Sequence, residues 1–350
     1  MKALCQEIRS YRGRFEERRI SSIFFGGGTP SLLSGAQMRE ILNELYDVFY
    51  IEADAEITTE MNPGTVNREK LKTYKEAGIN RLSIGLQSTK DEELRLLGRI
   101  HDYRTFLESY QMARDCGFHN INIDLISAIP GQSPESWRET LRRTAQLQPE
   151  HISAYSLIIE EGTAFYEMYG NAAEKDKQAL PLPTEDEDRE MYWDTKRILA
   201  EYGYHRYEIS NYAKQGYECR HNLGYWERKD YLGLGTGAAS LIDNQRYNHI
   251  RDTEEYCEKS AKAEELQVDR EWLSQKEQME EFMFLGLRKT AGIRTESFQA
   301  CFGCDIEEVY GPVLERLERA GLLLRKGNEI RLSERGCDIS NYVFSEFLLD

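Results

Sequence analysis

The amino-acid sequence predicts an α/β protein with a parallel sheet in its first half. Five short runs of β-branched or aromatic residues occur before residue 160, and each ends in a turn that precedes an amphipathic helix pattern. The runs end about 25 to 41 residues apart, which is the length of a strand, a helix and two loops. This alternation predicts an open doubly wound sheet or a complete or partial β/α barrel.

The predicted strands are separated by helices with recognisable ends. Ser34 followed by Gln37 predicts a capping box at the start of the first long helix. Gly78, Gly117 and Gly203 stand where later helices should end. The five strands are predicted at 20–25, 55–59, 81–85, 121–126 and 151–157.

The sequence changes character after Glu160. A polar, loop-rich stretch to about Thr184 precedes a predicted helix near Glu185–Glu201 and an aromatic, glycine-rich run at 217–242. From about Lys276 the pattern ends in a helix, a glycine turn and a hairpin, the outline of a winged helix. We therefore expect three units, at 1–165, 166–275 and 276–350.

Composition excludes several classes of protein. The 350 residues are 40% hydrophobic, which is enough for a sizeable core, and carry a net charge of −16. Mean hydropathy is −0.65, and no apolar run reaches the roughly 18–20 residues of a membrane span. The first residues lack the apolar core of a signal peptide, so we expect a cytoplasmic protein. Seven scattered cysteines argue against a disulfide framework.

The charge also argues against nucleic acid as a partner. An acidic chain repels phosphate backbones, and residues 276–350 carry 10 basic and 14 acidic side chains. We therefore expect the winged-helix-like unit to have a structural or protein-contact role.

A glycine-rich turn, 26–30, directly follows the first predicted strand. Its sequence, Gly-Gly-Gly-Thr-Pro, lacks the lysine of a phosphate-binding loop and the spacing of a dinucleotide site. Three glycines let a ligand approach the backbone, and the turn can hold an amino-acid-like head group. A tight structural turn is an equally good interpretation of these residues alone.

The other predicted strands also end in polar residues. Because the carboxyl ends of parallel strands form the ligand site in β/α folds, these residues should converge. Glu60 can bind a cationic amine, Gln87 or Asp124 a ribose hydroxyl, and Arg99 a carboxylate. The remaining polar residues of the set are Asn62, Ser88, Ser153 and Tyr155.

Two further motifs have both a chemical and a structural interpretation. His221, Tyr225 and Trp226 can stack on a flat macrocycle and offer an axial nitrogen to iron, although a packed aromatic patch is favoured when they are seen alone. Cys301 and Cys304 form a single CxxC pair without further ligands nearby, which favours packing over a metal or redox site.

Taken together, the motifs resemble one family. The sequence resembles the radical S-adenosylmethionine (SAM) proteins related to oxygen-independent coproporphyrinogen III oxidase. The motifs that carry the resemblance are FFGGGTPSLL, TEMNPG, RLSIGLQS, NIDLISAIPGQS, YEISNYA, ECRHNLGYW and EFMFLGLRKTAGI. Within this family, HNLGYW indicates the haem chaperone branch. The resemblance covers essentially the whole chain. It implies a partial (β/α)6 radical SAM-type barrel, a small α+β domain and a C-terminal winged-helix-like domain.

The resemblance also implies ligands and functional residues. Gly27, Gly28 and Thr29 would contact the methionine moiety of S-adenosylmethionine. The matching positions for the rest of that cofactor are Glu60, Gln87, Arg99 and Asp124, and the haem candidates are His221, Tyr225 and Trp226. The implied partners are haem-accepting proteins, respiratory ones among them, and a homodimer is left open.

One departure from the family pattern concerns iron. The family carries CxxxCxxC, upstream of the region where MKALCQEI aligns, to hold a [4Fe–4S] cluster, and this chain lacks it. We expect Cys5 to be a helix residue, no metal ligands, and no reductive cleavage of S-adenosylmethionine. An N-terminally shortened product is favoured over a true cluster-free variant, because the other cofactor positions are present.

Three functions remain after this step. The leading one is a haem chaperone that binds haem and S-adenosylmethionine and transfers haem to acceptor proteins. The alternative is an oxygen-independent coproporphyrinogen III oxidase. A winged-helix adaptor whose barrel is a scaffold for protein contacts is the third.

Overall fold

A computed structural model describes residues 1–170 and 179–349. Its main sheet has seven strands in the order β1-β2-β3-β4-β5-β7-β6, and the first five are parallel. All five lie where the sequence predicts strands, although the second begins five residues early. The parallel strands are β1 (Arg19–Phe25), β2 (Tyr50–Met61), β3 (Arg81–Gln87), β4 (Ile121–Ser127) and β5 (His151–Ser156).

Helices connect these strands and bury one side of the sheet. Ser34 and Gln37 form the predicted capping box, and Gly78 ends a helix with φ +118°. A 3₁₀ turn at Pro30–Leu32 follows the glycines. The helices are α1 (Lys2–Ser10), α2 (Gly35–Val48), α3 (Arg68–Ala77), α4 (Asp91–Leu96), α5 (Tyr103–Asp115) and α6 (Pro134–Gln146).

The sheet continues with two short antiparallel strands, β6 (His205–Arg206) and β7 (Asn211–Ala213). The expected loop-rich stretch before Thr184 contains one short helix, and its residues 171–178 lie outside the described part. The helices of this region are α7 (Ala164–Tyr169), α8 (Glu185–Glu201) and α9 (Arg220–Trp226). The sequence analysis predicted α8 with the same bounds and assigned no helix to α9.

A small α+β unit packs beside α1. Its sheet joins β8 (Ala239–Ile242), β9 (Gln245–His249) and β10 (Gln267–Trp272), with α10 (Thr253–Lys259) and α11 (Ala263–Leu266) alongside. The buried Glu7 of α1 connects the two parts, because its carboxylate accepts hydrogen bonds from the Tyr256 hydroxyl and the Gly235 N–H and lies 3.1 Å from His249 Nδ1.

The C-terminal domain has the predicted winged-helix outline and its own hydrophobic core. Cys304 packs partly against that core as predicted, whereas Cys301 is exposed, which corrects its assignment as a packing residue. The elements are α12 (Gln275–Gly286), β11 (Ile293–Arg294), α13 (Thr295–Phe302), α14 (Ile306–Arg319), β12 (Leu323–Lys326), β13 (Glu329–Leu332), α15 (Glu334–Asp338) and α16 (Ser340–Ser345).

Cys5 lies in helix α1, as predicted, and is buried. Within residues 1–170 and 179–349, no helix is long and apolar enough to cross a membrane.

Two glycines of the C-terminal domain allow a matched stability test. A Cβ on Gly336 would lie 2.0 Å from the Leu322 carbonyl oxygen, whereas one on Gly311 would meet no side-chain atom closer than 3.5 Å. We expect Gly336→Ala to lower the free energy of unfolding by about 1–3 kcal/mol. Gly311→Ala, inside α14, should raise it by about 0.5–1 kcal/mol. Denaturant titration of both variants measures the difference, and equal effects would contradict the packing described.

Candidate functional site

The glycine-rich turn lies at the carboxyl end of β1 and leaves its backbone accessible. Gly27 has φ +99°, a conformation that side chains other than glycine rarely adopt, and no atom lies within 4 Å of a Cβ built on Gly27 or Gly28. Gly26 is different, because its added Cβ would lie 3.2 Å from Glu60 Oε1. The backbone at Gly26 therefore packs against Glu60 of β2, whereas the backbone at Gly27 and Gly28 has space for a ligand.

Glu60 and Asp124 bring negative charge to this end of the sheet. Glu60 is the penultimate residue of β2 and accepts a hydrogen bond from the Gly27 N–H, while burial and the nearby Asp124 raise its pKa. Asp124 accepts hydrogen bonds from Ser83 Oγ at 3.0 Å and Asn122 Nδ2 at 2.8 Å, and desolvation raises its pKa as well. A cationic group of a ligand close to both carboxylates would stabilise their ionised forms and oppose this shift.

Arg99 lies near the carboxylate of Asp124, whereas the side chain of Gln87 is turned toward its own strand. Burial lowers the pKa of Arg99, and the charge of Asp124 opposes that shift, so the two side chains lie within electrostatic range. Gln87 ends β3 with φ +67°, and its side-chain amide folds back over Gly85. The structure thus unites Gly27, Glu60, Asp124 and Arg99, while Gln87 faces its own strand.

A groove of about 940 Å³ runs along β1. In the described part of the chain β1 pairs with β2 on one side, and its other edge forms the wall of this groove. Apolar residues of α1, α2 and the 231–234 segment complete the lining. The groove includes the predicted cofactor residues Gly27, Gly28 and Thr29 at one end, and the haem candidates His221 and Tyr225 along its wall.

His221 is held in a defined orientation. Its Nδ1 lies 3.1 Å from Ser22 Oγ, its ring stacks on Phe24 at 4.9 Å, and Tyr225 packs edge-on at 4.9 Å. Burial lowers the pKa of His221, so the imidazole is neutral at pH 7. No side chain or backbone group of the described residues bonds to Nε2. A neutral imidazole with one nitrogen oriented and the other free is a typical metal ligand.

The residue that positions His221 was not predicted from the sequence. Glu56 of β2 is 5% exposed, and its carboxylate accepts hydrogen bonds from the N–H groups of Arg220 and His221, both at 3.1 Å. The thiol of Cys219 donates to it at 3.4 Å. The available signal was an acidic residue within the predicted strand 55–59, between Ala55 and Ile57.

Trp226, the third haem candidate, does not line the groove. It lies at the far end of α9, where Arg288 of the C-terminal domain stacks over its ring at 4.4 Å. His221 and Trp226 therefore face different neighbours, and α9 connects the groove to the C-terminal domain.

The residues present do not fit a [4Fe–4S] cluster. Such a cluster needs three thiolates close together, and the described residues contain no group of three His, Cys, Asp or Glu side chains that could hold a metal ion. The cysteines stand apart, and Cys5 Sγ has Glu40 as its neighbour, at 3.9 Å.

The first four parallel strands and the glycine-rich turn lie in a region that matches a family model. Residues 5–144 match the radical SAM superfamily, and residues 273–339 match the HemN C-terminal domain. Two relatives carry the name haem chaperone HemW. The one from Lactococcus lactis is 35% identical over 100% of this chain and 89% of its own length. The one from Bacillus subtilis is 36% identical over 99% of this chain and 90% of its own length. The chain belongs to the HemW family of radical SAM proteins.

A solved structure gives the same fold. Coproporphyrinogen III oxidase (HemN) from Escherichia coli, a radical SAM enzyme, superposes with a TM-score of 0.83 at 23% identity. The match covers 99% of this chain and 82% of the enzyme, and it confirms the predicted half-barrel with a C-terminal domain.

Glu60 allows a test of the electrostatics. The pKa of Glu60 is raised in the folded state, so its ionised carboxylate lowers the free energy of unfolding at neutral pH. This loss of stability disappears as the pH falls through the raised pKa and the carboxylate takes up a proton. We expect Glu60→Gln to raise the free energy of unfolding at pH 7 and to leave it nearly unchanged at pH 4. The exposed Glu17→Gln is the matched control. A loss of stability in Glu60→Gln at pH 7 would contradict the assignment.

Proposed function

We propose that this protein is a haem chaperone that binds haem and S-adenosylmethionine and passes haem to acceptor proteins in the cytoplasm. The observation that carries the proposal is the free Nε2 of a neutral, oriented His221 in the wall of an apolar groove. The names of the HemW relatives support the same function.

The groove has the chemistry that haem needs. Its volume of about 940 Å³ lies at the upper end of small-molecule sites, and its lining includes the rings of Phe24 and Tyr225 beside His221. Arg19 also lines it and stacks over Tyr50 at 5.5 Å, with no carboxylate partner in residues 1–170 and 179–349. We assign His221 to the iron and Arg19 to a propionate.

S-adenosylmethionine fits the neighbouring end of the groove. The open backbone of Gly27 and Gly28 would accept its methionine moiety, with Glu60 opposite the amino group and Arg99 opposite the carboxylate. In radical SAM proteins this cofactor supplies a radical when an iron–sulfur cluster reduces it.

Transfer requires that haem be held reversibly. A single bond from His221 would hold the iron while a ligand of an acceptor protein could still bind it. Acceptors with two strong axial ligands, such as respiratory haem proteins, would draw haem from this site.

The fold also favours a second candidate, an oxygen-independent coproporphyrinogen III oxidase, because the HemN enzyme matches over 99% of this chain. The two functions differ in turnover. Product from coproporphyrinogen III, S-adenosylmethionine and a reductant would support the oxidase, whereas haem binding without turnover would support the chaperone.

Haem titration tests the role of His221. Removing a partner of a metal ligand costs about 10–100-fold in affinity, and removing the ligand itself should cost no less. We expect His221→Ala to lose the shifted Soret band of the complex and to bind haem at least about tenfold more weakly. The exposed His119→Ala, between α5 and β4, should bind like the original protein. Identical spectra for the two variants would overturn the assignment.

The lowered pKa of His221 sets the pH range of binding. Iron requires the neutral imidazole, which persists below the ordinary histidine pKa because burial disfavours its charged form. We expect haem affinity to stay constant from pH 8 through about 6.5 and to fall only at lower pH. Soret titrations across this range measure the change, and a decline that begins above pH 7 would contradict it.

A further inference from the structure

A second pocket lies between the half-barrel and the C-terminal domain, away from the groove. It has a volume of about 470 Å³ and is formed by α8, β6, the end of α12, the β12–β13 hairpin and α15. We propose that this pocket binds a small molecule that carries phosphate or carboxylate oxyanions on an apolar body.

The pocket concentrates positive charge in an acidic protein. The chain has a net charge of −16, yet Glu208 and Glu334 are the two carboxylates in the lining. Five Lys and Arg side chains line the same pocket. Lys196 pairs with Glu334, and Lys289 Nζ lies 3.5 Å from Glu227. The three without a carboxylate partner among the described residues are Arg206, Arg288 and Arg331. A concave site with this excess raises the local concentration of anions.

Arg206 lies in this pocket without a carboxylate partner among the described residues. Its guanidinium donates to the Tyr192 hydroxyl at 2.5 Å and to Cys337 Sγ at 3.4 Å, and stacks near the rings of Tyr192 and Trp193. Its Nε is buried and makes no hydrogen bond. The stacking fixes the plane of the guanidinium, and Nε is the nitrogen that remains without a partner among the described residues.

Arg288 approaches from the opposite segment. It stacks on Trp226, and its Nε is buried and also without a hydrogen bond. Glu208 lies within electrostatic range, but its Oε1 accepts a hydrogen bond from the Ser210 N–H at 2.8 Å, and no ion pair with Arg288 forms in the part of the chain described. Both arginines therefore keep unused donors at the same interface.

Backbone pairing fixes the two segments across the pocket. Residues 206–208 and 289–290 run antiparallel through a bridge between Glu208 and Lys289 and a 2.9 Å hydrogen bond from the Thr290 N–H to the Tyr207 carbonyl. The arginines are thus placed by the contact between domains, and a ligand would find them in position.

The chemistry of the lining defines the class of ligand. A buried guanidinium without a hydrogen-bonded anion is costly, and its planar fork matches carboxylate and phosphate oxygens. Leu287, Leu324 and Leu332 give the rest of the wall an apolar character. An oxyanion attached to an apolar body satisfies both parts of the lining.

Calorimetric titration of the full chain with inorganic phosphate and with citrate, at constant ionic strength, tests the proposal. We expect saturable binding of at least one of them, and the stronger of the two identifies a phosphorylated or a carboxylated ligand. Arg331→Gln removes an exposed charge from the pocket without disturbing packing and should weaken binding about tenfold, the effect of one charge-assisted hydrogen bond.

Arg319→Gln is the matched control, because Arg319 lies on α14 outside the lining and pairs with Glu315 at 2.8 Å. It should bind like the original protein. A second readout is protection of Cys337 in the pocket from alkylation, measured by mass spectrometry. The proposal is overturned if neither anion binds saturably, or if Arg319→Gln weakens binding as much as Arg331→Gln.

Discussion

The buried carboxylate of Glu56 couples the central sheet to the helix that carries His221. Burying a carboxylate is costly unless hydrogen bonds compensate, and here the first N–H groups of α9 and the Cys219 thiol supply them. Cys219, the residue at the N-cap position, provides no side-chain cap, so Glu56 takes that part from a neighbouring strand. A seven-residue helix is marginal by itself, and its attachment to β2 fixes where His221 lies.

Strand β1 contributes side chains to both faces of the sheet, and one of these faces orients His221. Ser22 and Phe24 stand two residues apart, lie on one face, and both contact His221. Ile23 and Phe25 point the other way and pack against the core. Ser22 is also the register partner of Glu56, beside a register shift in the pairing of β1 with β2. One short section of sheet therefore determines both the support and the orientation of the imidazole.

Hydrophobic periodicity predicted the elements that depend on a local sequence pattern. It did not predict the helix that depends on contacts between residues far apart in the sequence. The parallel strands and α8 were predictable because burial on a sheet or helix face repeats along the sequence. α9 was not, since Arg220–Trp226 contains a glycine, several aromatic residues and no capping signal, and its support comes from a residue more than 160 positions away. For the same reason the sequence could suggest His221, Tyr225 and Trp226 as a cluster but could not show that Trp226 faces the C-terminal domain.

The net charge of the sequence also does not predict the charge of a pocket. The net charge of the chain and of residues 276–350 argues against nucleic acid, because that argument concerns the field of a whole surface. A pocket senses only the charges that line it, and those of the domain interface come from three separate stretches of sequence, around residues 196–209, 287–290 and 324–337. No window along the chain contains them together. An acidic protein can thus present a pocket with more cationic than anionic side chains wherever folding brings such stretches together.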